Sequence, residues 1–189
     1  MTETLSFEKF IDGVIVRFSN PKTRNPISTE VLNQLRLFLN DFKSTSEKII
    51  FTGTDDIFAS GADLREIAEI KGEAARNFAL QAQEIFNKIA RLNSFAAVNG
   101  ICYGGAFDLA MACKWRFAAP QARFRHPGAS LGIMTGWGGT QRMPRLTGEA
   151  FALEIFLTGR EVSASEAFEA GLIHKIVDNP EAEAMAFEG

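Results

Sequence analysis

Short runs of β-branched residues alternate along this chain with segments whose apolar positions recur at helical spacing, and that alternation constrains the fold more than any other feature. Gly13-Val-Ile-Val-Arg-Phe18 and Lys48-Ile-Ile-Phe-Thr52 read as strands, and between them Val31, Leu35, Phe38 and Phe42 repeat at helical spacing. A second helix is expected from about Glu73 to Leu92, with Phe78, Ala82, Ile85, Phe86 and Ile89 on one face, feeding the apolar run Phe95-Ala-Ala-Val98. Gly104-Gly105 opens a third helix ending near Cys113. Trp115 to Ala118 reads as a strand, and Arg123 to Arg125 as a short one. Ser163-Ala-Ser-Glu166 fits a capping box, Gly171 the C-cap of the same helix, and Ile173 to Val177 a last strand. The tail from Glu181 to Gly189 reads as one or two helical turns. Alternating units of this kind imply an α/β architecture, and no internal repeat or low-complexity linker divides it.

With 189 residues, 46% of them hydrophobic, the chain can bury one sizeable core, so a single domain over 1–189 is expected. A net charge of -3 offers no basic surplus for phosphate backbones, which argues against a nucleic-acid partner. The start lacks the basic and apolar regions of a signal peptide, and no apolar run approaches a membrane span. The expectation is therefore a cytoplasmic protein without membrane contact. Cys102 and Cys113 match no zinc, redox or disulfide spacing and are expected to be reduced and buried, with no metal site. Seventeen phenylalanines against one tyrosine suggest a dry aromatic interior, which composition alone cannot assign to a core or to a ligand tunnel.

Two glycine-containing loops can present bare backbone: Phe58-Ala-Ser-Gly-Ala-Asp-Leu64, and Asn99-Gly-Ile-Cys-Tyr-Gly-Gly-Ala-Phe-Asp-Leu109, which leads into a helix. Gly105 at a helix start leaves free N–H groups backed by the positive end of the dipole, a setting suited to an oxygen that gains negative charge. Asp108 lies about one turn on. Helical side chains lean towards the N-terminus, so its carboxylate can overhang the same spot as an acid/base. First-turn aspartates also commonly complement the dipole, and paired glycines commonly serve close packing. Spacing leaves both readings open.

The order and spacing of these pieces resemble the crotonase (enoyl-CoA hydratase/isomerase) family from about residue 5 to residue 177, with 178–189 a short tail. Phe58 to Asp63 resembles that family's first oxyanion loop, and Ala97-Val-Asn-Gly-Ile-Cys-Tyr-Gly-Gly105 its second. Leu131-Gly-Ile-Met-Thr-Gly-Trp-Gly-Gly-Thr-Gln-Arg-Met-Pro-Arg145 resembles its glycine-rich stretch, and Leu157-Thr-Gly-Arg160 and Ala167 to Val177 its closing segment. The resemblance implies a crotonase-like (ClpP/crotonase) spiral of ββα units. It also implies a two-amide oxyanion hole from Ala62 and Gly105, and contact of Ser60, Gly61, Asp63, Leu64 and Gly104 with substrate or its CoA moiety. An amide donor of this kind contributes roughly 10²–10³-fold to an enolate-like transition state.

The departures from that family bear on the reaction. Its hydratases use two glutamates, at the positions held here by Asp108 and Gly128. Hydration needs water deprotonated while the α-carbon is protonated, and two carboxylates divide those tasks. Asp108 alone is thus expected to make a poor hydratase, whereas double-bond isomerisation and decarboxylation need fewer proton-transfer groups. Dihydroxynaphthoyl-CoA synthases resemble this chain in having glycine at the second position, where bicarbonate supplies the base, so Gly128 is a candidate anion seat. His126 is a candidate acid/base, histidine titrating near neutrality; a histidine beside a proline is also commonly structural. Lys114 replaces the family's usual aspartate, and altered packing is expected there before altered chemistry. Lys22 and Arg24 are candidates to meet CoA phosphates, although exposed cations are by default a solvated surface. The family's C-terminal helices, which help to form trimers, have no counterpart after residue 189, which puts a homotrimer or hexamer in doubt.

Gly128-Ala-Ser-Leu-Gly132 fits the G-x-S-x-G hydrolase pattern, but the run Leu131-Gly-Ile-Met-Thr-Gly136 directly after Ser130 is a poor helix start. Neither glycine stretch spells a dinucleotide or P-loop motif. Gly136-Trp-Gly-Gly139 is expected to make a close turn with Trp137 in the core or against an acyl chain. The expectation is an enzyme acting on acyl-CoA through a stabilised enolate, with no metal or redox cofactor, coenzyme A arriving with the substrate and bicarbonate a candidate at Gly128. The alternative is a non-catalytic or degenerate CoA-thioester-binding protein.

Overall fold

The computed structural model describes residues 4–42 and 44–188. Residues 1–3, Lys43 and Gly189, which belong to the expected start, domain span and tail, lie outside the described residues. In chain order the strands are Leu5–Phe10 (β1), Gly13–Phe18 (β2), Pro26–Ile27 (β3), Lys48–Thr52 (β4), Ile57–Ala59 (β5), Gly61–Ala62 (β6), Asn93–Val98 (β7), Ile101–Tyr103 (β8), Trp115–Ala118 (β9), Arg123–Arg125 (β10), Glu161–Ser163 (β11) and Lys175–Ile176 (β12). The helices are Thr29–Asp41 (α1), Leu64–Glu69 (α2), Glu73–Ile89 (α3), Gly105–Ala112 (α4), Gly128–Leu131 (α5), Gly139–Thr147 (α6), Glu149–Thr158 (α7), Ala164–Glu169 (α8) and Pro180–Ala186 (α9).

The strands divide between a six-stranded sheet, ordered β1-β2-β4-β7-β9-β12, and a four-stranded sheet, ordered β11-β10-β8-β5. β3 and β6 form a separate parallel pair. In the large sheet only the β1–β2 hairpin is antiparallel. The pairs β4/β5, β7/β8 and β9/β10 each place one strand in the large sheet and the next in the small one, before a helix returns the chain. That repetition is the expected spiral of ββα units. Parallel strands covered on both faces are apolar throughout. Accordingly Ile49 and Phe51 face the main core, while Ile50 faces a second cluster with Ile15, Phe95 and Phe117, covered by α9. Among the described residues no helix is long and apolar enough to cross a membrane.

Several boundaries depart from expectation. In α1 the buried face is Val31, Leu32, Leu35 and Leu39; Phe38 and Phe42 flank it, half-buried, with Phe38 stacked on Phe7 at 4.9 Å. Helix α3 stops at Ile89, and Leu92 packs on the core from the loop beyond. The last strand is only Lys175–Ile176, yet its pairing outlasts it: His174 N donates to Arg116 O at 2.8 Å and Val177 N to Ala118 O at 2.9 Å. Half of the capping box forms. The Ser163 hydroxyl accepts from Glu166 N at 3.2 Å, while the Glu166 carboxylate turns to Arg160 instead. Helix α6 occupies part of the glycine-rich stretch with Pro144 inside it; glycines and a proline conceal such a helix from sequence patterns. Ser130 sits inside the short α5 with its hydroxyl on Pro127 O at 2.8 Å, so no strand leads directly into a nucleophile elbow there.

Eight of the seventeen phenylalanines, Phe18, Phe51, Phe58, Phe86, Phe95, Phe107, Phe117 and Phe124, are fully buried, and Phe10, Phe38, Phe42, Phe78, Phe151, Phe156 and Phe187 pack half-buried against the core. Cys102 and Cys113 are free, buried thiols. Lys114 lies beyond the end of α4, its N–H on Ser94 Oγ at 3.0 Å and its ammonium 5.5 Å over the Trp115 ring, a packing role.

Candidate active site

The two glycine-containing loops meet in space because neither carries a side chain where their backbones touch. Gly61 adopts φ +88°, and a Cβ there would stand 2.7 Å from both Gly105 N and Tyr103 O. An L-residue would be both strained and obstructed. Gly104 (φ 54°) precedes α4 without a side-chain cap, and its N–H is held by Arg125 O at 2.8 Å. The first N–H groups of α4, Gly105 among them, have no acceptor within the helix and carry the positive end of its dipole. β6 holds Ala62 beside this terminus through its pairing with Ile27. Asn25, buried at φ 49°, staples the first loop from behind: its Nδ2 donates to Ile57 O at 3.0 Å and to Phe58 O at 3.3 Å.

Helix α4 is buried from Ala106 to Ala112, and Asp108 is its one ionisable residue. A first-turn aspartate on a wet surface would be adequately explained by the dipole. A fully buried one needs partners. Its Oδ2 accepts a short hydrogen bond from the Thr135 hydroxyl. Its Oδ1 lies 3.0 Å from His126 Nε2, but this contact does not meet hydrogen-bond geometry, and neither atom has another partner. His126, 3% exposed, is clamped between the rings of Phe107 and Phe156, each 5.1 Å away. A Cβ at Gly139 would collide with Asp108 Oδ1 and stand 3.2 Å from His126 Nε2. The chain turns there without a side chain so that the pair can meet.

A cavity of about 280 Å³ joins these groups. Ser60, Ala62, Gly104, Gly105, Asp108, His126 and Gly128 all line it, and Leu64, Ile67, Ile70, Phe78, Leu131, Ile133, Met134 and Trp137 supply its apolar wall. Trp137 is both things the sequence allowed: a core residue, edge-on to Phe78 and Phe86, and cavity wall. Its ring occupies the space that a Cβ on Gly105 would need. At the mouth, Met134 is 71% and Leu64 55% exposed, an apolar rim.

Gly61 and Asp63 do not line the cavity. Gly61 makes the backbone contact between loops. Asp63 caps α2, accepting from Arg65 N at 2.9 Å, and hydrogen bonds from the Arg65 side chain hold its carboxyl below the usual carboxylate range. At Gly128 the direction a side chain would take is blocked, a Cβ there standing 2.5 Å from Ile133 O. Lys22 and Arg24 are exposed and outside the cavity, but Arg24 O accepts from Ser60 N at 3.0 Å, which sets their loop against the loop from Phe58 to Leu64. His174 lies elsewhere, accepting from Arg116 N at 3.1 Å, its pKa lowered chiefly by burial.

Three contributors escaped sequence reasoning: Thr135, Asn25 and Arg142. The half-buried Arg142 donates to Trp137 O at 3.0 Å and to Asn87 Oδ1 at 2.7 Å, bracing α6 against α3; burial lowers its pKa and Asp108 opposes that. No local spacing marks any of them, since each acts on a residue distant in sequence.

The family model described as enoyl-CoA hydratase/isomerase matches residues 12–188. The chain is 34% identical over 172 residues to a short-chain-enoyl-CoA hydratase of Clostridium acetobutylicum, covering 88% of this chain and 66% of that one. It is 35% identical over 185 residues to a crotonyl-CoA hydratase of Syntrophomonas wolfei, covering 95% of this chain and 71% of that one. An enoyl-CoA hydratase from Bacillus anthracis superposes with a TM-score of 0.87 at 32% identity, over 97% of this chain and 72% of that one. One from Thermoplasma volcanium superposes with 0.89 at 30%, over 96% and 74%. The chain spans about two thirds of the length of the curated relatives it matches.

Proposed function

The chain belongs to the enoyl-CoA hydratase/isomerase family, and on that premise we propose that its cavity takes acyl-CoA thioesters and works on them through a stabilised enolate. The observation that carries this reading is the convergence of Ala62, Gly105 and the buried Asp108 on one cavity. The thioester oxygen sits between the N–H groups of Ala62 and Gly105, at the positive end of α4. Withdrawal of charge onto that oxygen makes the neighbouring C2–H acidic, and preorganised donors in a dry site stabilise the developing enolate without reorganising. Asp108, one turn along the same helix, moves the proton.

Among the reactions an enolate opens, double-bond isomerisation and decarboxylation suit this site better than efficient hydration. Hydration in this family divides its proton transfers between two carboxylates, and the Gly128 position supplies none. The reading assigns the proton to Asp108 and not to bicarbonate, supported by the carbonyl of Ile133, which faces the side-chain direction of Gly128 as an acceptor and not as an anion donor. The apolar wall suits an aliphatic acyl chain. Lys22 and Arg24, on the loop whose Arg24 carbonyl accepts from Ser60 N, meet the CoA phosphates.

The test is to incubate the protein with crotonyl-CoA, a 3-enoyl-CoA and a malonyl-type CoA, with and without bicarbonate, and to follow products by mass spectrometry with binding of a CoA analogue alongside. The expected result is faster conversion of the 3-enoyl or malonyl-type substrate than hydration of crotonyl-CoA, indifferent to bicarbonate. Equally fast hydration overturns the preference among reactions. Binding without turnover of any acyl-CoA overturns the enzyme itself in favour of a thioester-binding protein.

A further inference from the structure

His126 is a titratable group of the cavity that the enolate chemistry of Asp108 leaves unused, and its setting is costly for a side chain that merely fills space. Its Nε2 and the Asp108 Oδ1 are both buried, 3.0 Å apart, and without a hydrogen-bond partner. Buried polar atoms are nearly always paired, and the exceptions cluster where a group is kept free for work. The surroundings hold the two atoms in this relation. Thr135 fixes the other oxygen of Asp108, Phe107 and Phe156 fix the imidazole, and Gly139 leaves the gap that lets them approach. The separation lies within the range of direct proton transfer.

We infer that His126 is the second proton-transfer group of this site and that the Asp108–His126 pair carries a proton from C2 to C4 of a 3-enoyl thioester. This rests on the proposed acyl-CoA function and narrows it to double-bond migration. The Asp108 carboxylate takes the proton: the C2–H bond breaks, an O–H bond forms, and the electron pair enters a dienolate whose oxygen lies between Ala62 and Gly105. The proton crosses from Oδ1 to the imidazole. The imidazolium then gives a proton to C4, a C4–H bond forms, the double bond settles between C2 and C3, and the thioester carbonyl is restored. Carboxylate and neutral imidazole are regenerated, so no external acid, base or oxidant enters the balance.

The experiment is to supply 3-hexenoyl-CoA in D₂O to the wild-type protein, His126→Gln and Asp108→Asn, reading deuterium at C2 of recovered substrate and formation of the 2-enoyl product. If the pair works as inferred, His126→Gln loses product formation by about 10²–10³-fold while C2 exchange falls less than tenfold. Asp108→Asn loses both. Product formation within threefold of wild type in His126→Gln overturns the inference. So does a parallel loss of exchange and product at an unchanged thermal midpoint, which would make His126 only a positioning residue for Asp108. If the glutamine variant does not fold, His126→Asn is read by the same two signals. A wild-type protein that neither exchanges nor shifts the double bond overturns both this inference and the acyl-CoA function it rests on.

Discussion

At the scale of single residues, the site depends on side chains that are absent as much as on those present. Gly139 has no Cβ because Asp108 Oδ1 occupies that space. Gly139→Ala is therefore expected to push the carboxylate off its position and lower C2 proton exchange by about 100-fold, with binding of a CoA thioester kept within a few-fold. Exchange kinetics and calorimetry check the two halves of that statement. The cysteines show the opposite use of burial. Desolvation pushes the Cys113 thiol up to about 12 and raises Cys102 well above its usual range too, so neither forms thiolate near neutrality. Native protein at pH 7.5 is expected to resist maleimide, whereas urea-unfolded protein takes up two labels by mass; rapid native labelling would contradict the packing described for α4.

Between elements, Trp137 ties the glycine-rich stretch to α3 and α4 at once. It is 4% exposed and lies edge-on to Phe78 and Phe86 at 5.4 and 5.7 Å. Trp137→Ala is expected to cost about 3–5 kcal/mol in urea unfolding and to weaken acyl-chain binding by widening the cavity. Helix α8 gives a prediction in pH. Arg160 hydrogen bonds hold the Glu166 carboxyl below its ordinary range. A carboxyl lowered on folding contributes stability that is present above its unfolded pKa and lost as pH falls through the folded one. Glu166→Gln should therefore flatten the loss of stability below roughly pH 4.3. At neutral pH it should cost at most about 1 kcal/mol, because the pair is about one-third exposed.

Over the whole molecule, the large sheet is covered on both faces, and α9 provides the second cover. Phe187 reaches Trp115 at 4.8 Å and Phe117 at 5.2 Å, while Glu181 pairs with Arg17 of β2 at 2.8 Å. Phe187→Ala is expected to lower stability by about 1.5–3 kcal/mol without altering turnover, since this face lies away from the cavity. The β-branched runs of β2 and β4, the helical period of α3 and the paired glycines that open α4 were legible from residue pattern alone. Their division between two sheets was not, because strands buried on both faces are apolar throughout and their pairing is non-local. Helix α6 was hidden by its glycines and Pro144. For the site, the placement of Ala62 and Gly105 came from family resemblance, and Asp108 from helical spacing. The Asp108–His126 and Asp108–Thr135 contacts join separate elements, and no period in the sequence relates them. The most direct measurement of the central claim is C2 hydrogen–deuterium exchange of an acyl-CoA in D₂O by wild type and Asp108→Asn, with thioester binding measured alongside. A fall of about 10²–10⁴-fold in the variant with binding retained is the result expected; exchange at the wild-type rate without the carboxylate would contradict it.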